Sequence, residues 1–465
     1  MRVPNSARRM ALSPTPLGSE NPSASTVAHL VIAAGGKGTR LASIAADLPK
    51  VLVPVGGKPV LQHQLELAAA AGIREVTIFA GYLADAIRGF VGDGSRFGLR
   101  VRTVVEAEPL GNAGALLQSL ASLPEHFFVL YGDVMLAVDL QRIAKRHVER
   151  AAEFTALVHP NDHPYDSDLL ETDADDWVTA IHACPHPPGR FFGNLVNAAL
   201  YVVRREALRP WAAGSGKKDF VKDVMSGLVA TGGRVLAYRS SEYIKDMGTP
   251  ARLQRVEADW RAGRISLVKS ARPRPAVFLD RDGTLNVEKG YLRTAEELEL
   301  VPGAGPALKS LRQAGFRLVV LTNQPVLARG EATAADVAAI HRRLEWELGK
   351  EGAYLDGIYV CPHHPDSGFP GERTELKIRC ECRKPGTGLF ERACRELHID
   401  PPNSWMVGDQ TRDIEMARRA GLRSVLLRTG AAGGDKQFQS APDFVADDLS
   451  TAANLILRHM EVTAA

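Results

Sequence analysis

Cysteine is scarce in this chain, five in 465 residues. That is too few for a disulfide scaffold of this size. An excess of one charge is missing too. The formal net charge is +3, so nothing in the totals calls for nucleic acid or an anionic membrane as partner. No apolar run approaches the roughly 18 residues of a transmembrane helix. Arg8 and Arg9 stand near the start, but no apolar stretch follows them as a targeting leader would require. No internal repeat is visible, and nothing after Val445 suggests a third domain. What is present is a hydrophobic content of 45% over a chain long enough for two or three domains. The expectation is a cytoplasmic protein.

Met1 to Val27 is rich in Ser, Pro and Ala and reads as a disordered extension, with Met10 as an alternative start. Ala28–Ala34 is an apolar run ending at Gly35-Gly36, a strand feeding a loop. Leu61–Ala71 has helical spacing, and Glu75–Ala80 and His126–Tyr131 read as buried strands. Residues 261–275 read as a linker, basic and without apolar pattern. Beyond it the alternation restarts. Strands are expected at Ala276–Leu279, Arg317–Leu321, Gly357–Val360 and Trp405–Val407, and helices at Gly305–Ala314, Ala334–Leu348 and Gly388–Leu397. The pattern predicts two α/β domains, 28–260 and 276–465, each a mostly parallel doubly wound sheet.

The first chemical feature is Gly35-Gly36-Lys37-Gly38-Thr39-Arg40-Leu41. Small residues let backbone N–H groups approach phosphate oxygens, and Lys37 and Arg40 add positive charge. The loop lacks the Gly-Lys-Ser/Thr of a Walker A sequence, and Leu41 occupies the third glycine position of a dinucleotide fingerprint. Pro49-Lys50, Glu106 to Gly114, Gly132-Asp133 and Asp246-Met247-Gly248-Thr249-Pro250 follow in order. Together these motifs resemble the nucleotidyltransferases that make NDP-sugars from sugar 1-phosphates. The resemblance implies that Gly35, Gly36, Gly38, Thr39 and Arg40 hold a nucleoside triphosphate and that Lys50 faces its phosphates. Glu106, Gly111 and Gly114 would line the base and sugar pockets. Lys218 would reach the sugar phosphate, and Asp133 and Asp246 would hold Mg²⁺. In such a reaction two anions meet, so Lys, Arg and Mg²⁺ must screen their repulsion while the rest of catalysis is alignment. Two positions depart from the family pattern: Asn112 stands for the commoner Thr, and Ala199 for Gly.

Behind the linker, Asp280-Arg281-Asp282-Gly283-Thr284-Leu285 follows a strand. It resembles the signature of the haloacid dehalogenase superfamily, in which Asp280 would be the nucleophile and Asp282 the acid and base. Thr322, Lys384 and Asp409 are the implied phosphate and metal partners, with Mg²⁺ held by Asp280, Asp282 and Asp409, and Asp413 either a ligand or a loop support. Cys361, His363, Cys380 and Cys382 form a three-sulfur, one-nitrogen set suited to structural Zn²⁺, with His364 the rival imidazole. Cys394 reads as core. Residues 276–430 resemble the zinc-bearing histidinol-phosphate and heptose-bisphosphate phosphatases, which implies that Asn286, Asn323 and Arg383 touch substrate. Pro325-Val326 stand where relatives usually have Ser-Gly.

Fusion suggests a common substrate. A phosphatase that removes the 7-phosphate of a heptose 1,7-bisphosphate leaves a 1-phosphate for the transferase, with GTP favoured as the nucleotide. The expected partners are sugar phosphates and NTP. The alternatives are a hexose 1-phosphate transferase joined to a phosphatase for another sugar bisphosphate or histidinol phosphate, or one catalytically silent domain.

Overall fold

The computed structural model describes residues 27–36, 47–106, 108–212, 216–267 and 273–464. The N-terminal extension and the loop positions Gly38, Thr39 and Arg40 lie outside them.

The front sheet is built on His29–Ala34, parallel to both Glu75–Ala80 and His126–Tyr131. Arg100–Val105 continues the parallel half. On the other side the sheet changes sense. Val196–Arg204 runs antiparallel to His126–Tyr131, and Phe154–His159 antiparallel to Val196–Arg204. The front sheet is therefore nine-stranded and mixed, where the alternation of motifs predicts a mostly parallel one. Among the described strands of its antiparallel half, only Leu169–Thr172 and Val178–His182 pair as consecutive strands. Val196–Arg204 pairs with strands that lie well before it in the chain, and such long-range antiparallel pairing leaves no turn signal in the sequence. Where Val196–Arg204 shifts register against Phe154–His159, Ala199 takes φ 54°. That left-handed geometry is where the family's usual Gly is unstrained.

A second pair, Val134–Ala137 with Tyr243–Asp246, brings Asp246 opposite Val134 and so beside Asp133. The helix Pro250–Arg261 follows, capped by the Thr249 side chain with Pro at its first position. A further turn, Arg264–Leu267, buries Ile265 against the front domain. The segment read as a linker thus begins as folded structure.

The rear sheet has six strands, all parallel. Ala276–Leu279 lies inside it, between Arg317–Asn323 and Trp405–Gly408, and all four of its residues are buried. Coverage on both faces explains why it reads as an unbroken apolar run. The chain reverses direction of travel across this strand, so the carboxyl ends of the three strands open a common crevice.

The domains meet along the helix Ala334–Lys350. Its Trp346 ring packs edge-on to Tyr165, His186 and Phe191 at centroid distances of 5.7–6.4 Å. Its Glu345 Oε2 accepts the Asn194 backbone N–H at 3.0 Å. Burial pushes the Glu345 carboxyl up to about 7 from a usual 4.5. A carboxyl raised on folding is bound as the acid, so its ionisation opposes the fold. The contact is strongest below pH 4.5, weakens as pH rises toward 7, and stays weakened above it. Glu345→Gln keeps the acceptor without the charge. It is expected to match the native protein in thermal stability at pH 4.5 and to exceed it at pH 8 by about 2–3 kcal/mol. Melting curves at the two pH values check this.

Candidate active sites

The front cavity, about 890 Å³, opens at the carboxyl ends of the parallel strands. Gly35, Gly36, Lys50, Glu106, Gly111 and Asp133 all line it. A side chain on Gly35 would meet Glu106 Oε1 at 2.8 Å, and one on Gly111 (φ +80°) would meet the Lys218 carbonyl at 2.3 Å. Gly111 is therefore dictated by close approach and by its positive φ, whereas at Gly35 the Glu106 carboxylate would have to swing aside. Burial pushes the Glu106 carboxyl upward. Lys50 forms a tight ion pair with Asp133 at the end of its strand.

Asp246 is placed differently. Arg252 Nη1 donates to both of its oxygens, at 2.9 and 3.0 Å, and the Gly248 N–H donates at 3.0 Å. Burial alone would raise this carboxyl, but Arg252 and the backbone donor outweigh it and hold it below its usual value. Among the implied Mg²⁺ ligands, then, Asp133 faces the cavity, whereas Asp246 is engaged by an arginine beside it. Gly114 is buried at the start of the helix Gly114–Gln118.

Asn112, the departure from Thr, has a structural task. Its Nδ2 donates to Asp219 Oδ2 at 2.9 Å and its Oδ1 accepts the Phe220 N–H at 2.7 Å. The Ala113 and Lys218 N–H groups donate to the carbonyls of Lys218 and Leu110, at 3.1 and 2.9 Å. The Lys218 backbone is thus part of the clasp, and its neighbour Lys217 joins Lys50 in the cavity lining. The resemblance points to Lys218; that Lys217 lines the cavity depends on the register of this clasp, which the sequence does not give.

The rear cavity is about 1170 Å³. Lys384 Nζ lies 2.9 Å from Asp280 Oδ1 and 2.7 Å from Asp413 Oδ1. Asp280, Asp409 and Asp413 bring carboxylate oxygens within 4.8 Å of one another. Burial, only partly offset by Lys384, pushes Asp280 up to about 6; burial and the Asp280 charge push Asp409 up to about 8. The Asp409 Oδ1 atom is buried without a hydrogen-bond partner. Three buried acids around one lysine, with an oxygen left unpartnered, fit a small divalent cation.

The Asp282 side chain is not in this group. It faces Arg281 instead, so the third carboxylate of the cluster is that of Asp413. Arg281 Nη2 donates to both Asp282 oxygens at 2.8 Å, Asn286 Nδ2 donates at 3.1 Å and Gln324 Nε2 at 3.0 Å. Burial would raise Asp282, but these donors hold it below its ordinary value. Asn286, implied as a substrate contact, is fully buried and turned to Asp282. Asn323 lines the cavity and exchanges hydrogen bonds with the Lys384 backbone, at 3.0 and 3.1 Å, fixing the lysine loop against its strand. Thr322 is buried at the strand end and accepts from Gln324 Nε2 at 2.8 Å. Arg383 lines the cavity and donates to the His363 carbonyl at 3.1 Å. Pro325 starts the helical turn Val326–Arg329 with φ −67°, the angle its ring imposes.

Beside this cavity Cys361, His363, Cys380 and Cys382 converge. The three Sγ atoms are 3.3–3.7 Å apart, and His363 Nδ1 lies 3.2 Å from Cys382 Sγ. A tetrahedron with metal–sulfur bonds of about 2.3 Å has edges of about 3.8 Å, so the set has metal-site dimensions. His364 Nδ1 instead accepts the Asp366 N–H at 3.2 Å, outside the group. Cys394 packs against the rear core.

Comparison with known proteins matches the Nucleotidyl transferase family model to residues 29–262 and the HAD-hydrolase-like model to residues 381–452. The D-glycero-beta-D-manno-heptose-1,7-bisphosphate 7-phosphatase of Haemophilus ducreyi is 43% identical over 159 residues, 34% of this chain and 85% of that protein. A solved D,D-heptose 1,7-bisphosphate phosphatase from B. bronchiseptica, complexed with magnesium and phosphate, is 32% identical with TM-score 0.35, covering 40% of this chain and 99% of that one. HddC from Yersinia pseudotuberculosis complexed with GMP-PN is 25% identical with TM-score 0.42, covering 50% of this chain and 99% of that one. Among the described residues no helix is long and apolar enough to cross a membrane.

Proposed function

We infer the following from one premise: the chain belongs to the nucleotidyl transferase family and, through its second domain, to the heptose-bisphosphate 7-phosphatase family. It is a bifunctional enzyme of heptose activation. The rear domain takes the C7 phosphate from D-glycero-D-manno-heptose 1,7-bisphosphate. The front domain then joins heptose 1-phosphate to an NTP, with GTP favoured, and releases pyrophosphate. The observation that carries the rear reading is Asp280 paired with buried Lys384 in the cavity, converging with the carboxylates of Asp409 and Asp413.

Asp280 is the attacking carboxylate, and Lys384 offsets the charge that gathers as it approaches an anionic phosphate. Asp282, ionised in the grip of Arg281, takes up a proton as the anionic phosphate enters beside it. It gives that proton to the departing C7 alkoxide and later takes one from the water that cleaves the phosphoaspartate. Asp280, Asp409 and Asp413 would hold Mg²⁺, which supplies charge neutralisation at the phosphoryl oxygens when bound. In front, Gly35, Gly36 and Gly111 leave room for the triphosphate. Lys50 exchanges Asp133 for phosphate oxygens, Asp133 would hold the second Mg²⁺, and Asp246 would join it only by giving up Arg252. Cys361, His363, Cys380 and Cys382 would hold structural Zn²⁺.

Phosphorus NMR of the heptose bisphosphate incubated with protein and Mg²⁺, without nucleotide, tests this reading. Loss of the C7 resonance with the C1 resonance kept is expected. Loss of the C1 resonance, or of neither, contradicts it.

Stripping zinc tests the Cys–His site. Burial pushes the Cys361 and Cys382 thiols up, so without a metal they reprotonate and the loop loses its staple. A thiol-competitive chelator is expected to release about one zinc per chain. It should lower the melting temperature of the rear domain and leave the front reaction unchanged.

A further inference from the structure

The arginine that grips Asp282 is itself held from the far side. The Arg281 side chain is wholly buried, with a relative exposure of 0%. A guanidinium has five N–H donors in a fixed plane and cannot shed its charge. Its Nε and Nη2 are spent on Asp282, and Nη2 also donates to Gln324 Oε1 at 3.1 Å. On the far side, Nη1 donates to His341 Nε2 at 3.2 Å. His341 does not line the rear cavity. It comes from the helix Ala334–Lys350 and belongs to none of the motifs that mark the phosphatase.

We propose that His341 is a positioning residue for the rear reaction: its Nε2 fixes the plane of Arg281, and Arg281 with Gln324 fixes the acid–base carboxylate of Asp282. The inference rests on the reading of Asp282 as acid and base.

Three features support it. Nε2 must be the unprotonated acceptor, and burial with the Arg281 charge pushes His341 down to about 3, so the ring is neutral at working pH. The carrier helix is held at both ends. Thr333 and Asp336 close a capping box at its start, with the Thr333 N–H and hydroxyl donating to Asp336 at 2.8 and 2.7 Å. At its other end Trp346 packs on the front domain. A side chain on such an element is placed more finely than one on a loop. Finally, a wholly buried arginine that loses one acceptor can turn toward another. Asp282 would turn with it, since its oxygens are held by the same fork.

The test compares two replacements of similar size. Gln places an amide oxygen near the Nε2 position, and Leu fills the space without an acceptor. With the sugar bisphosphate as substrate, His341→Leu is expected to lower phosphatase kcat about tenfold, a fraction of what acid–base catalysis contributes. KM should stay within about twofold, since the residue touches no substrate. His341→Gln should recover most of the loss. Pyrophosphate formation by the front domain should be native in both, and a native melting temperature of the rear domain serves as the folding control.

Equal kcat for His341→Leu and the native protein would overturn the proposal. So would equal losses in the Gln and Leu variants. If Leu unfolds the rear domain, His341→Asn takes its place, being polar but too short to reach Nη1, and the same Gln comparison decides. Asp282→Asn is run beside them. If it keeps native phosphatase activity, the acid–base reading itself is wrong. If it is inactive while His341→Leu is native, only the positioning role fails.

Discussion

Asp280→Asn is expected to abolish phosphate release, by a factor on the order of 10⁴ or more, while the front domain still forms pyrophosphate from supplied heptose 1-phosphate. The carboxamide has the shape of the carboxylate but cannot form the phosphoaspartate. No neighbour replaces it. Asp409 and Asp413 are committed to the cluster, and Asp282 is held by Arg281, Asn286 and Gln324. The variant should not be less stable. Asp280 is raised to about 6, so at pH 8 the metal-free native protein carries an ionised acid whose burial opposes folding. Removing that charge relieves repulsion with Asp413 and Asp409. Stability of the variant relative to the native protein should therefore rise with pH through 6. Rapid-quench assays of phosphate and pyrophosphate, with melting curves at pH 5 and 8, check both halves.

Asp133→Ala is expected to give the mirror result. Pyrophosphate formation should fall by about 10²–10³-fold, the range for loss of one preorganised electrostatic partner, with phosphate release unchanged. Asp133 lines the front cavity and pairs with Lys50, itself mostly buried with 15% of its side chain exposed. Without Asp133 the lysine loses the partner that aims it, and the site loses its cavity-facing carboxylate. The Asp246 carboxylate does not take over, because Arg252 holds both of its oxygens. Steady-state rates for the two reactions of one preparation check this. A variant that lost both activities would point to a folding defect.

How much of this was legible in the sequence depends on where each group sits in the local pattern. The strands Glu75–Ala80, His126–Tyr131 and Ala276–Leu279 were readable to the residue because they are buried and bounded by breakers. Asp133, Asp280 and Asp409 were readable because each follows such a strand. The antiparallel half of the front sheet was not, since Leu169–Thr172 and Val178–His182 are short and only partly buried. Ligand sets were legible in type and less so in membership. Spacing cannot tell that Asp282 turns its carboxylate to Arg281 and that Asp413 turns toward Asp280, because both depend on the path of side chains inside a loop. Arg281 and Gln324 stood within motifs but had no role there. His341 is 60 residues away from Arg281 in sequence, and only the packing of its helix makes them neighbours.

The central claim is that one chain performs two successive reactions on one sugar. The measurement that tests it follows phosphate and pyrophosphate separately, with heptose 1,7-bisphosphate, Mg²⁺ and each NTP in turn, for the native protein and Asp280→Asn. Phosphate first and pyrophosphate second from the native protein with GTP is the predicted result. Asp280→Asn should form pyrophosphate only when heptose 1-phosphate is supplied. Pyrophosphate formed by Asp280→Asn directly from the bisphosphate, or no phosphate from the native protein, would contradict the account.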